Sequence, residues 1–171
     1  RVVSLAEAGQ AARACPCMTE GPVPWARALD ACREWMGKHA GKTVDGLHLE
    51  DGGEVVGHVY YTASQDALIP YRVEPGVAVV HCEWVQRQHQ GKGYAHVLCD
   101  SLTGHVQAKG YKGILVAATD EEQCMHYRHF VCRGYETLPA EGALHLMYLP
   151  LAQEVIEVEP LPLRIQPRRT S

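Results

Sequence analysis

The stretch Trp84-Val85-Gln86-Arg87-Gln88-His89-Gln90-Gly91-Lys92-Gly93-Tyr94-Ala95 carries an apolar strand into an amphipathic helix through a loop that holds two glycines. A turn of this kind is suited to an anion. Glycines at 91 and 93 remove Cβ atoms where a phosphate group would approach the backbone, while the unpaired N–H groups of the first helical turn and the helix dipole favour negative charge. Lys92 adds a full positive charge beside them. The wording is neither the GxxxxGK[ST] of P-loop proteins nor the GxGxxG of dinucleotide-binding folds.

Working outward, Val77 to Val85 is a near-continuous apolar run, as expected of a strand covered on both faces. Downstream, Tyr94, Leu98, Leu102 and Val106 recur every four residues with Ala95 and Cys99 beside them, and Gly110 stands where a helix C′ residue belongs. Ile114 to Ala118 is another short apolar strand. Strand, helix and strand predict a right-handed βαβ unit with parallel strands and the glycine loop at the carboxyl end, where α/β sheets bind ligands.

Toward the N-terminus, Ser4-x-x-Glu7 is a capping box that opens a first helix to about Ala14, and Arg1 to Ser4 read as a strand-like start rather than a signal peptide. From Pro24, apolar residues at Trp25, Ala28, Leu29, Cys32, Trp35 and Met36 predict a second, strongly amphipathic helix with the tryptophans in the core. Leu47 to Glu50 and Val55 to Ala63 flank Asp51-Gly52-Gly53 as a β-hairpin, with His58 and Tyr60 on a half-exposed face, and Gln65 to Pro75 reads as a loop. Thr119-x-x-Glu122 is a second capping box, whose helix carries Cys124, Tyr127, Phe130 and Val131 toward the core before Gly134 stops it. Tyr135 to Leu138 and Leu144 to Leu149 supply a last strand pair, and residues 151–171, acidic and then proline-rich, form a tail, linker or extra edge strand.

Composition limits the functional classes. The 171 residues are 46% apolar with no run of about 18 apolar residues, which fits one domain over residues 1–150 and no membrane span. A net charge of -4 gives no basic footprint for nucleic acid. Seven irregularly spaced cysteines fit reduced thiols and a cytoplasmic location. Cys15-Pro16-Cys17 has too short a spacing for a zinc half-site, so no metal site is expected.

The string Gln90-x-x-Gly93-x-Ala95 after Val85 resembles motif A, [QR]-x-x-G-x-[GA], of the GCN5-related N-acetyltransferase (GNAT) superfamily. The expected element order, β-α-α-β-β-β-α-β-α-β-β, is also that of the family over roughly residues 1 to 150. The resemblance implies an α/β (α+β) fold whose mixed central sheet is splayed between its fourth and fifth strands, with helices on both faces. It further implies acetyl-CoA as cosubstrate, N-acetyltransferase activity by direct attack of a primary amine in a ternary complex, and a small-molecule or peptide acceptor. A homodimer is compatible with it. Backbone amides of Gln90, Gly91, Lys92, Gly93, Tyr94 and Ala95 would take the diphosphate, and the strand end Glu83, Trp84 and Val85 would pair with the pantetheine arm.

A second family signature ends at Gly134-Tyr135, which places Gln123 and Phe130 against the cofactor where the family carries asparagine and tyrosine. Phenylalanine cannot return a proton to the thiolate, so Tyr127, His126, His129 or a water is the alternative. For a base that deprotonates the amine, Glu83 and His81 share one strand face by the period of two. An acyl-CoA-binding module without turnover is the other reading that Phe130 and Gln123 leave open. No charged cluster in the sequence singles out the acceptor amine.

Overall fold

The computed structural model describes residues 1–8, 26–121, 125–140, 144–153 and 156–161. A short strand β1 (Val2–Ser4) leads into α1 (Leu5–Ala8), α2 (Ala26–His39) and the hairpin β2 (Val44–Asp51) and β3 (Glu54–Ala63). Then come β4 (Tyr71–Val73), β5 (Val77–Val85), α3 (Tyr94–Ala108), β6 (Gly113–Ala118), α4 (Tyr127–Val131), β7 (Glu136–Leu138), β8 (His145–Pro150) and β9 (Val158–Pro160). Seven strands make one sheet in the order β1-β2-β3-β5-β6-β8-β7, and β4 pairs with β9 in a second, small sheet. All pairs are antiparallel except β5 with β6. Among the described residues no helix is long and apolar enough to cross a membrane.

Local rules account for the elements near the site. The capping box forms as expected: Ser4 Oγ accepts from the Glu7 amide at 3.3 Å, and Glu7 Oε2 accepts from the Ser4 amide at 3.1 Å. Gly52 and Gly53, both at positive φ, form the two-residue loop between β2 and β3. Helix α3 lays Leu98, Leu102 and Val106 against the sheet, each at most 1% exposed, which contributes about 1.5–3 kcal/mol per side chain. It ends with Gly110 at φ +81°.

Alternate residues of β3 face opposite layers. Val59 and Tyr61 join the core under α3 and α4 with Val80, Val116, Phe130 and Met147, while Tyr60 packs with Leu5 of α1 and Met36 of α2. Helices therefore lie on both faces of the sheet.

Several expectations are corrected. Residues 65–75 are not all loop, because Tyr71 and Val73 pair with Pro160 and Val158 of β9 and are buried; a three-residue strand between prolines leaves no period to read when its partner is so distant in sequence. Helix α4 starts at Tyr127, not at the Thr119 box: its N-cap is His126, whose side chain accepts from the Arg128 amide, and Thr119 Oγ1 instead takes the Glu121 amide. Val131 is 49% exposed and Trp35 is 47% exposed, stacked on His39 rather than buried in the core. His58 and Tyr60 are 0% and 6% exposed, so the face expected to be half-open is covered. Trp25, Cys15, Cys17, Gln123 and Cys124 lie outside the described residues.

Candidate active site

The parallel pairing of β5 with β6 runs from Val77↔Gly113 to Val80↔Val116 and stops there. Beyond Val80, β5 pairs only with β3 on its other side, through Val85↔Gly57, so the sheet opens into a wedge. A cleft of about 720 Å³ occupies that wedge. It is lined by Glu83, Trp84 and Val85 of β5, by Gln90, Gly91, Gly93, Tyr94 and Ala95 of the loop and first turn of α3, and by Phe130 and Arg133 on and after α4. The carboxyl end of the strand and the amino end of the helix thus meet at one cavity.

The glycine loop is built to keep its amides open. Gly91 and Gly93 sit at φ +75° and +79°, and an added Cβ at either would meet no atom within 4 Å. The glycines are required first by the backbone conformation, and the space around them is clear for a ligand. Among the described residues, none of the N–H groups of Gly91 to His96 has a backbone or side-chain acceptor. Gln90 lines the cleft, but its backbone N–H, expected to face the diphosphate, donates to the Arg87 carbonyl at 3.2 Å, and its Nε2 donates to the Val85 carbonyl at 2.9 Å and ties the loop to the strand end. Tyr94 donates its hydroxyl to Asp51 Oδ2 at 2.7 Å, which fixes the first turn of α3 to the β2–β3 hairpin and holds the Asp51 carboxyl below its ordinary range. Lys92 does not line the cleft: its ammonium lies 3.5 Å from His89 Nδ1. The indole N–H of Trp84, a cleft residue, is buried with no acceptor among the described residues.

A β-bulge decides which side chains meet. Tyr60 pairs with Cys82 but Tyr61 pairs with Val80, so β5 carries one extra residue, His81. The expectation that His81 and Glu83 share a face by the period of two fails for this reason. His81 Nε2 lies 2.8 Å from Thr62 Oγ1, and partial burial holds the imidazole below its usual pKa. Glu83 lies on the α3 side: both its oxygens accept from Arg133 Nη1, at 3.0 and 3.1 Å, and Cys99 Sγ lies 3.5 Å from its Oε2. The two side chains of this ion pair are about 90% buried, with Arg133 10% and Glu83 9% exposed. Burial, with the Glu83 charge beside it, pushes the Cys99 thiol far above its ordinary range.

Tyr127 is not among the residues that line the cleft. Its ring stacks on His145 at 4.3 Å and on His126 at 4.8 Å, and its hydroxyl accepts from Arg128 Nε at 3.3 Å. Phe130, 2% exposed, forms part of the cleft wall and brings no hydroxyl.

The cleft also takes Arg87, His89, His96, Met125, His126 and His129. Of the lining residues, Arg87, His89, His96, Met125 and Arg133 carried no spacing signal as site residues. Arg87 lies in the quoted stretch, and Arg133 directly precedes Gly134 of the second signature. Only the turn of α4 onto the wedge gives them a common destination.

The acetyltransferase (GNAT) family model matches residues 13–129, more than half of the chain. No curated protein matches the sequence significantly. Among solved structures, a GNAT-family protein from Desulfovibrio desulfuricans superposes with a TM-score of 0.63 at 13% identity, over 89% of this chain and 100% of that one. The PaiA N-acetyltransferase of Thermoplasma acidophilum, solved with coenzyme A, gives 0.56 at 10% identity over 88% and 99% of the two chains. The ribosomal-protein-S18-alanine N-acetyltransferase of Escherichia coli gives 0.54 at 12% over 72% and 79%. At such identities the likeness is one of fold, and the family match supplies the rest. A sheet opened after Val80, with uncommitted amides at the head of α3, is the frame on which that match falls, and the chain belongs to the acetyltransferase (GNAT) family of acyl-CoA-dependent N-acyltransferases.

Proposed function

We propose that this protein transfers an acetyl group from acetyl-CoA to a primary amine of a small molecule or peptide by direct attack in a ternary complex. The observation that carries the reading is the wedge: strand edge and helix amides are left unpaired on either side of one cavity, a costly arrangement unless a ligand completes it. The amides of Gly91 to His96 take the diphosphate. The edge of Glu83 to Val85 pairs with the amides of the pantetheine arm as an added strand would. The bulge at His81 releases a backbone N–H from the ladder, which can donate to the thioester oxygen as charge develops there.

Two side chains compete for the role of base, and the geometry supports His81 over Glu83. His81 follows the last β5–β6 rung by one residue, beside rather than among the residues that line the cleft, and its lowered pKa keeps it neutral and able to accept the amine proton near pH 7. Glu83 is occupied by Arg133. The leaving thiolate takes its proton from water or from His126 or His129 on the opposite wall. With acyl-CoA as cosubstrate, the site of action is the cytoplasm, in keeping with Cys32, Cys82, Cys99 and Cys132, which are reduced rather than joined in disulfides.

The test is thiol release from acetyl-CoA across a panel of amines, with calorimetry of coenzyme A binding alongside. Turnover with at least one amine supports the reading, and failure to bind coenzyme A defeats it. Tight binding with silence across the panel selects instead the non-catalytic acyl-CoA-binding module, which the missing hydroxyl at Phe130 favours.

A further inference from the structure

The geometry points to Cys82 as an S-acylation site: with no amine bound, its thiol takes the acyl group from acyl-CoA, and His58 accepts the thiol proton. The proposal rests on the reading of the wedge as an acyl-CoA site. Cys82 lies on β5 two residues past Val80, the last position paired with β6, on the strand edge proposed to hold the pantetheine arm. The bulge that displaces His81 also turns Cys82 onto the α1 and α2 layer, away from α3. There His58 Nε2 stands 3.1 Å from its sulfur. The thiol is half-buried, whereas the imidazole is wholly buried, 0% exposed, and stacked on Tyr60 with ring centroids 4.3 Å apart.

A thiol beside a fixed imidazole is the arrangement that makes a cysteine nucleophilic, since the thiolate is the attacking form and the base takes its proton. Tyr60 is itself fixed, its hydroxyl 2.8 Å from His48 Nε2, so the His58 ring has little freedom to swing away. Cys99 shows the contrast: it is buried beside a carboxylate, its thiol is driven up rather than down, and it is inert to the same chemistry. Cys82, by contrast, has an imidazole rather than a carboxylate at its sulfur.

The step balances without a further reactant. The Cys82 sulfur attacks the thioester carbonyl and its proton passes to His58 Nε2. The tetrahedral adduct collapses with cleavage of the bond between the acyl carbon and the coenzyme A sulfur. That thiolate takes the proton from His58 and leaves as free coenzyme A, with one thioester exchanged for another.

The experiment incubates the full chain with acetyl-CoA and no amine, quenches in acid, and reads intact mass, with peptide mapping and a hydroxylamine wash. The expected result is one acetyl group per chain, on Cys82, released by neutral hydroxylamine as a thioester must be, and lost in Cys82→Ser. An adduct on Cys32, which packs in the same apolar cluster, or a hydroxylamine-stable adduct on a lysine overturns the proposal. So does the absence of any adduct in protein that binds coenzyme A and acetylates an amine, and this outcome leaves the proposed function standing. Failure to bind coenzyme A overturns both. Because His58 is buried and its replacement can unfold the chain, a second arm follows iodoacetamide alkylation of Cys82 against pH in the unaltered protein and in His58→Asn. The paired thiol reacts below the pH range of an ordinary one, and the variant slows at least about tenfold at neutral pH. Ordinary thiol titration in the unaltered protein defeats the pairing without reference to acyl-CoA.

Discussion

Replacing Glu83 by glutamine separates a structural carboxylate from a catalytic one. Both Glu83 oxygens accept from Arg133 Nη1, at 3.0 and 3.1 Å, and the two side chains are only 9% and 10% exposed. Breaking a buried pair by removing one partner costs about 3–5 kcal/mol, because the remaining charge stays desolvated. Glutamine keeps the shape and one acceptor oxygen, so the lower end applies to it, and alanine should reach the upper end. For a chain of this size, where about 1 kcal/mol moves the midpoint by roughly 2–4 °C, the loss is roughly 6–20 °C in Tm. The assay is urea unfolding followed by tryptophan fluorescence, with the pH dependence of kcat/KM measured on the same samples. Met at both positions should regain much of the stability lost by either single change, since a well-packed apolar pair replaces the ion pair without leaving a lone charge. The reasoning is refuted if Glu83→Gln unfolds within about 0.5 kcal/mol of the unaltered protein while losing turnover and its acid limb, for then Glu83 is the base and its pairing with Arg133 is idle.

Other perturbations test the rest of the site. Gly93→Val places a β-branched residue at φ +79°, so coenzyme A binding by calorimetry should weaken at least tenfold, about 1.4 kcal/mol; unchanged affinity contradicts backbone capture of the diphosphate. His81→Ala should cost about 10²–10⁴ in kcat. Because burial lowers the His81 pKa, the neutral base persists to pH values below about 6.5, and activity should fall only as pH drops under that value; an acid limb above it removes His81 from the role. For Asp45, 15% exposed in its side chain, burial raises the pKa, but Lys109, the Gly46 amide and Tyr61 outweigh it and leave the carboxyl lowered. Its stability contribution is therefore full above the ordinary carboxylate range and is lost as pH falls through the folded value. Asp45→Asn should cost about 1–2 kcal/mol at pH 7 and much less near pH 3, read from urea midpoints. Tyr127→Phe should leave kcat within about twofold, since that hydroxyl meets Arg128 rather than the cleft; a loss of about a hundredfold or more would restore Tyr127 as the acid.

What the chain announced by itself was whatever local chemistry dictates. Gln90-x-x-Gly93-x-Ala95 marked the loop between β5 and α3 because positive φ at 91 and 93 needs glycine, and the four-residue recurrence of Leu98, Leu102 and Val106 marked the helix behind it. Ser4 and Glu7 announced their own cap, and Gly52-Gly53 the hairpin. Each of these signals spans only a few residues, so sequence order and spatial order agree. The tertiary structure alone decided the bulge at His81, which depends on the register between β3 and β5 and cannot be counted along one strand. That single extra residue sends Glu83 to Arg133, 50 positions away in sequence, turns Cys82 to His58, and leaves His81 against Thr62, one residue past the last β5–β6 rung. Periodicity fixes which residues alternate only while the ladder is regular, and pairing partners from distant strands set where it is not.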